Sequence, residues 1–174
     1  VPVENRIGEE GRGCDYAKAL LGGERSGIAR IGLSKERLIQ LRALERDLAE
    51  RSALTGRERN RLRRKLAEVE VELRALELTQ LRVVAADAHG AHAGHAASIL
   101  KIKGTEIQQR MTELVLELAG PAGLATDAAT QANTAGEGWV AAAAPFYFTM
   151  RKVSIFGGAN EIQRNIVAKS ILGL

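Results

Sequence analysis

Cysteine, aromatic residues and long apolar runs are all scarce in this sequence, and each shortage closes off a class of protein. The single cysteine, Cys14, can form no internal disulfide, so the 174 residues must rely on a packed core. That length suffices for one core or a small bundle without staples or metals. A lone thiol suits a reducing compartment, and a cytoplasmic location is the expectation. Aromatic side chains make up only 3% of the chain, so there is no stacking platform for single-stranded nucleic acid. No apolar run approaches the length of a membrane span, and no signal peptide is visible. The chain opens on Val1 without an initiator methionine, and we expect it to be a piece of a longer protein.

What is present is charge arranged on helices. The net charge is +4 and the isoelectric point about 9.5, with the basic residues concentrated in RERNRLRRK, Arg57–Lys65. Acidic residues alternate with basic ones just downstream, which reads as a solvated helix face; no nucleic-acid partner is expected. Residues 1–13 read as an extended strand and turn, with Gly8, Gly11 and Gly13 as punctuation. Beyond Asp15 the pattern is helical. Leu38, Leu41, Leu44 and Leu48 recur at helical spacing, and Leu54-Thr55-Gly56 interrupts the series, with Thr55 a cap for the next helix. Leu62, Leu66, Val69, Leu73 and Leu76 then alternate steps of four and three. This narrow seam suits a partner helix or, more economically, the bundle's own core.

Ile107, Met111, Leu114 and Leu118 form a further series that stops at Gly120-Pro121, a helix-ending pair. Residues 122–138 are small and polar and read as loop with a short helix. A final helix starts near Asn160, with Gln163 as capping-box partner, and carries Ile162, Ile166, Val167 and Ile171. No stretch sustains period-two alternation. The expected fold is all-α, an antiparallel up-and-down bundle of four or five helices behind a short extended N-terminal segment.

Three segments carry a resemblance. The tail IFGGANEIQRNIVAKSILGL, Ile155–Leu174, resembles the carboxyl-terminal signature of acyl-CoA dehydrogenases. VPVENRIGEEGRG resembles that family's passage from its middle β-domain into its helical domain, and Gly23–Ala29 (GERSGIA) resembles the opening of that domain's first long helix. Within the family, the combination looks most like pimeloyl-CoA dehydrogenase large subunits. The resemblance implies that residues 1–14 end a middle domain or linker and that 15–174 form the C-terminal helical domain. It also implies an FAD cofactor, an acyl-CoA substrate, a homo- or hetero-oligomer, and electron-transfer flavoprotein as electron acceptor. In such enzymes a carboxylate removes the α-proton, a hydride leaves Cβ for the flavin, and donors hold the thioester oxygen.

The sequence departs from the family pattern in informative places. Many members carry a catalytic Glu in a Tyr-Glu-Gly-Thr loop; here Gly157 occupies that position. A minority carry the Glu at the start of the first long helix, in a motif ending Glu-Arg, which Glu24-Arg25 matches. Glu24 is therefore the candidate base, with Gly23, Arg25, Gly157 and Gly158 as candidate substrate-binding positions. A first-turn Glu that only complements the helix dipole is the plain alternative. The family's Arg-x-x-Phe-Gly segment has no clear counterpart near AERSALT, although Arg51 lies close by. Its Gln-x-x-Gly-Gly-x-Gly segment reads Glu117–Gly123 (ELAGPAG), which puts a carboxylate where a diphosphate is expected. Glu117, Gly120, Ala159, Asn160 and Glu161 are the candidate cofactor-binding residues. The second functional reading is a catalytically silent subunit that completes a partner's flavin site.

Two further groups suggest little chemistry. His89, His92 and His95 recur every three residues, which spreads them around a helix, so no metal site is expected. Trp139, Phe146, Tyr147 and Phe148 read as core, with lining of an acyl tunnel the lesser alternative.

Overall fold

The computed structural model describes residues 2–88, 94–124 and 138–174. Six α-helices occur among them: α1 (Gly13–Ile28), α2 (Ile31–Glu50), α3 (Gly56–Ala88), α4 (Gly94–Ala119), α5 (Gly138–Met150) and α6 (Asn160–Val167). A π-helical turn, Ala168–Leu172, prolongs α6. No strand occurs among the described residues. The expected extended N-terminal segment is instead a single 3-10 turn at Val3–Asn5. A strand needs a neighbour for its ladder, and none is available. The turn region is tied down locally: the Glu9 N–H donates to the Tyr16 hydroxyl at 2.9 Å, and Gly8 and Gly11 adopt left-handed φ values.

The sixth helix arises because α1 and α2 are not continuous. Arg30 between them sits at φ 45°, a left-handed conformation that costs a non-glycine residue energy and breaks the run. Arg30 bonds back to the Gly27 carbonyl, and its own carbonyl accepts from Ser34 as α2 begins. The break is enforced by α4. A Cβ on Gly104 would lie 2.5 Å from the Ala29 backbone, so only glycine lets the end of α1 lie this close to α4.

Helix α4 is the hub, packed against every other helix. Its Leu100, Ile107, Met111 and Leu114 meet the α3 seam in one cluster. Leu62, Leu66, Val69, Leu73 and Leu76 are all buried there, so the seam serves the bundle's interior. Each such side chain contributes roughly 2 kcal/mol by leaving water. On α2, Leu38, Leu41 and Leu48 join the core, but Leu44 stays half-buried. The buried position beside it belongs to Glu45, whose carboxylate meets Arg59 at 2.7 Å and Arg63 at 3.5 Å. The expected aromatic core is not observed: Phe148 is 67% exposed, and Trp139 and Phe146 line a surface cleft.

Helix ends follow local chemistry. Thr55 caps α3 as expected: its hydroxyl accepts the Glu58 N–H at 3.3 Å, while its own N–H and hydroxyl donate to the Glu58 carboxylate at 2.8 and 2.7 Å. These bonds hold the Glu58 carboxyl below its usual range, the hydroxyl contribution being the larger. Thr55→Ala should cost about 1 kcal/mol in urea unfolding at neutral pH. A depressed carboxylate stabilises the fold above its ordinary pKa, and that contribution fades as pH falls through the lowered value. The difference between wild type and Thr55→Ala should therefore shrink in acid.

Gly120, at φ 58°, follows the last residue of α4 and ends it, as expected. The histidine cluster lies outside the described residues, apart from the helical backbone at His95.

Candidate active site

A second face of α4 is polar and equally buried. Ser98, Lys101, Thr105, Gln108 and Thr112 alternate steps of three and four, and each is 1% exposed or less. Apart from Ser98, whose buried hydroxyl has no hydrogen-bond partner among the described residues, these side chains survive there because they fasten the segments around them. Gln108 donates to the Ile28 carbonyl at 3.0 Å and so holds the end of α1. Gln109, beside this row, donates to the Met150 and Arg151 carbonyls at 3.3 and 3.1 Å. Lys101 donates to the Ser154 carbonyl at 3.0 Å and to Asn160 Oδ1 at 2.8 Å. Burial lowers the Lys101 pKa, and the Glu161 carboxylate opposes that shift in part.

Between those last two anchors runs the segment 155–159, which carries the two glycines singled out by the sequence. Gly157 and Gly158 adopt φ values of 66° and 93°. A Cβ on Gly157 would lie 2.3 Å from Ile28 Cδ1, and one on Gly158 would lie 2.5 Å from Gln163 Nε2. The left-handed conformation favours glycine at both positions, while the neighbouring atoms are the mobile ends of side chains. The turn packs directly on Ile28 of α1.

Glu24 precedes Ile28 by four residues, a spacing that puts the two positions on one helix face. The side chains of Glu24 and Arg25 lie outside the described residues, as does the surrounding of Gly23. The backbone corrects one expectation. Glu24 stands in the last turn and a half of α1, because the helix already begins at Gly13. The plain alternative, a first-turn Glu that complements the helix dipole, does not hold there.

The expected capping box at the last helix is also absent. Ala159 is the N-cap and makes no side-chain cap bond, and Asn160 is the first helical residue. Its amide is drawn inward, where Oδ1 accepts from Lys101 and Nδ2 donates to the Thr105 hydroxyl at 3.1 Å. Gln163 is fully buried and reaches back toward the Gly157 and Gly158 carbonyls at 3.5 and 3.4 Å. Lys101 was not foreseen from the sequence. The signal was the polar row itself, which has the same three-four alternation as the leucine seam.

The cofactor-side residues were tested against the chemistry of an anionic nucleotide. Glu117 is not a bare carboxylate. Arg61 and Lys65 meet it at 2.8 and 2.6 Å, so two cations face one carboxylate and leave an excess of one positive charge. That removes the objection to a diphosphate. Asn160 can offer only its backbone, since its amide is engaged in the core, whereas Glu161 is exposed. The groups that suit an anionic nucleotide therefore lie in two places: Arg61, Lys65 and the Gly120 backbone at one end of α4, and the Ala159 and Asn160 backbone beside Lys101 at the other.

These features define an all-α bundle whose central helix uses a buried polar seam to fix a strained glycine turn against a neighbouring helix. The chain belongs to the acyl-CoA dehydrogenase family: the model described as "Acyl-CoA dehydrogenase, C-terminal domain" matches residues 11–172. No curated protein matches the sequence.

Among solved structures, it is similar to one described as the Tcur3481-Tcur3483 steroid ACAD, in a variant form. That match has 24% identity and a TM-score of 0.77, and covers 100% of this chain and 43% of that one. It is also similar to a chain described under the electron transferring flavoprotein of Acidaminococcus fermentans and flavin-based electron bifurcation. There the identity is 21% and the TM-score 0.74, covering 99% of this chain and 42% of that one. At these identities the likeness shows the fold. The chain spans less than half the length of both relatives. No described helix is long and apolar enough to cross a membrane.

Proposed function

We infer that this chain is the helical domain of an FAD-dependent acyl-CoA dehydrogenase, in which Glu24 removes the α-proton of an acyl-CoA thioester. The observation that carries the reading is the contact of Ile28 with Gly157. It sets the helix face of Glu24 against the turn whose backbone N–H at Gly157 would hold the thioester oxygen. On this reading a base and an oxyanion donor would come from two neighbouring elements. Gly23 and Gly158 would let the acyl chain approach backbone closely, and Arg25 would favour the enolate that forms as the α-proton leaves. FAD, when bound, supplies the two-electron acceptor. Arg61 and Lys65 would take a diphosphate beside Gly120, while Ala159, Asn160 and Glu161, about 24 Å away at the Lys101 end of α4, would meet another part of the cofactor or a second flavin.

Ile155, Phe156 and Ile162 stand exposed around the turn, as an apolar surface awaiting substrate or another domain would. On this reading residues 1–14 lead out of a middle domain, the acyl chain is that of a dicarboxylyl-CoA such as pimeloyl-CoA, and electron-transfer flavoprotein takes the electrons. The degraded Arg-x-x-Phe-Gly segment favours a second version, a silent subunit that completes a partner's flavin site in a heteromer.

Anaerobic titration of the flavin-loaded full-length protein with butyryl-, octanoyl- and pimeloyl-CoA tests both. Bleaching that is fastest with pimeloyl-CoA is the expected result. No bleaching by any thioester, with flavin retained, would reject the catalytic reading. Bleaching that depends only on a partner subunit's carboxylate would select the silent one.

A further inference from the structure

We propose that the cleft between α2, α4 and α5 binds a small organic acid, whose carboxylate pairs with Arg37 while its apolar body lies against Trp139 and Phe146. The cleft holds about 370 Å³ and is walled mainly by apolar side chains, among them Leu44, Met111 and Val115. Arg37 enters it from α2, with its guanidinium carbon 4.7 Å from the centre of the Phe146 ring. Stacking on an aromatic face fixes the plane of the guanidinium and leaves its edge free to bond.

That edge is incomplete. Arg37 Nη1 is buried and has no hydrogen-bond acceptor. Elsewhere in the bundle Arg42, Arg59, Arg110 and Arg151 each meet a carboxylate. Arg37 makes no such ion pair among the described residues. Its neighbour Glu36 accepts from Gln40 instead. Burial, and then the charge of Arg30, lower the Arg37 pKa, which is the direction expected of a cation short of a counter-ion.

Among the described residues the fold thus supplies Arg37 with no acceptor at Nη1 and no counter-ion, and the part of the guanidinium that lines the cleft suits a carboxylate. A phosphate dianion fits poorly, because among the described lining residues a single cation, the Gln40 amide and the Trp139 indole N–H are set in an otherwise apolar wall. The body of the ligand must be apolar, since it would displace water from Leu44, Met111, Val115 and two aromatic rings. This cleft is separate from the glycine turn. No residue of the turn lines it: Trp139 lies about 16 Å from the end of α5 that the turn follows, and Phe146 about 6 Å from that end.

Trp139 is the sequence's only tryptophan, so its fluorescence reports on the cleft alone. The 174-residue chain would be titrated with octanoate and, in parallel, with octanamide, which has the same body without the charge. Octanoate should change the emission saturably, with octanamide binding about tenfold more weakly or worse. Arg37→Met should erase the difference between the two, and Arg37→Lys should preserve part of it. Val115→Trp/Trp139→Phe, which fills the cleft while retaining Arg37, should abolish both responses. Equal binding of the acid and the amide would overturn the proposal, as would an undiminished preference in Arg37→Met. A silent titration with emission that instead depends on protein concentration would also overturn it, and would assign the cleft to a second copy of the chain.

Discussion

Replacing Glu24 by glutamine should slow anaerobic reduction of the flavin by acyl-CoA on the order of a hundredfold to ten-thousandfold, the usual loss when a general base is removed. Glutamine keeps the shape of the side chain and much of its bonding but cannot accept the proton. Flavin and thioester binding should survive, because neither depends chiefly on this carboxylate. The loss should therefore appear in the limiting rate at saturating thioester, with the apparent dissociation constant nearly unchanged. The physical basis is the packing of Ile28 on Gly157, which sets one face of α1 against the glycine turn. Glycine at 157 has no proton-accepting group, so the chemistry must take its base from a neighbouring element. Bleaching at the wild-type rate in Glu24→Gln would reduce this residue to a helix-surface carboxylate and move the base to another domain or subunit.

How much of this was legible in the sequence depended on whether a residue's role follows from local pattern. The α3 seam was readable because five apolar residues at helical spacing have one economical destination, and all five are buried. Thr55 and Gly120 were readable because caps act within a few residues of themselves. The roles set by distant partners were not. Asn160 has the composition of an N-cap, yet Lys101 and Thr105, more than fifty residues earlier, draw its amide into the core. Arg30 gives no local sign of a helix break, because the cause is the close crossing of Ala29 over Gly104. Glu45 looks like one more charge on a solvated face, but Arg59 and Arg63 from the next helix neutralise it in the interior.

The candidate site divides in the same way. The two glycines announced a turn, and the turn is there with both residues left-handed. What holds it is a row of polar residues on α4 that any hydropathy reading assigns to the surface. Resemblance supplied the expectation at Glu24, and the fold supplied the adjacent helix face. Neither follows from the composition of α1 alone.

Lys101→Met should be the most damaging single change in the polar seam, with a loss of about 3 kcal/mol in urea unfolding. Methionine fills the volume but orphans the Ser154 carbonyl, and it removes the closer of two donors from Asn160 Oδ1. The Thr105 hydroxyl, at 3.3 Å, remains a weaker partner for that oxygen. The loss should be a lower midpoint at unchanged slope, since the core itself is intact. Alkaline pH gives a second reading. Burial lowers the Lys101 pKa in the fold, so the unfolded chain binds this proton more tightly, and stability should rise with pH between the lowered value and about 10.5. Lys101→Met must lack that component. Asn160→Asp should reverse it: a carboxylate 2.8 Å from the ammonium would raise the folded pKa, so stability would be lost as pH rises through it. An identical alkaline slope in wild type and Lys101→Met would mean that the bonds to Ser154 and Asn160 fully replace water around the ammonium and that burial imposes no net penalty on it. An unchanged urea midpoint in Lys101→Met would leave the glycine turn held by Gln109 and Gln163 instead.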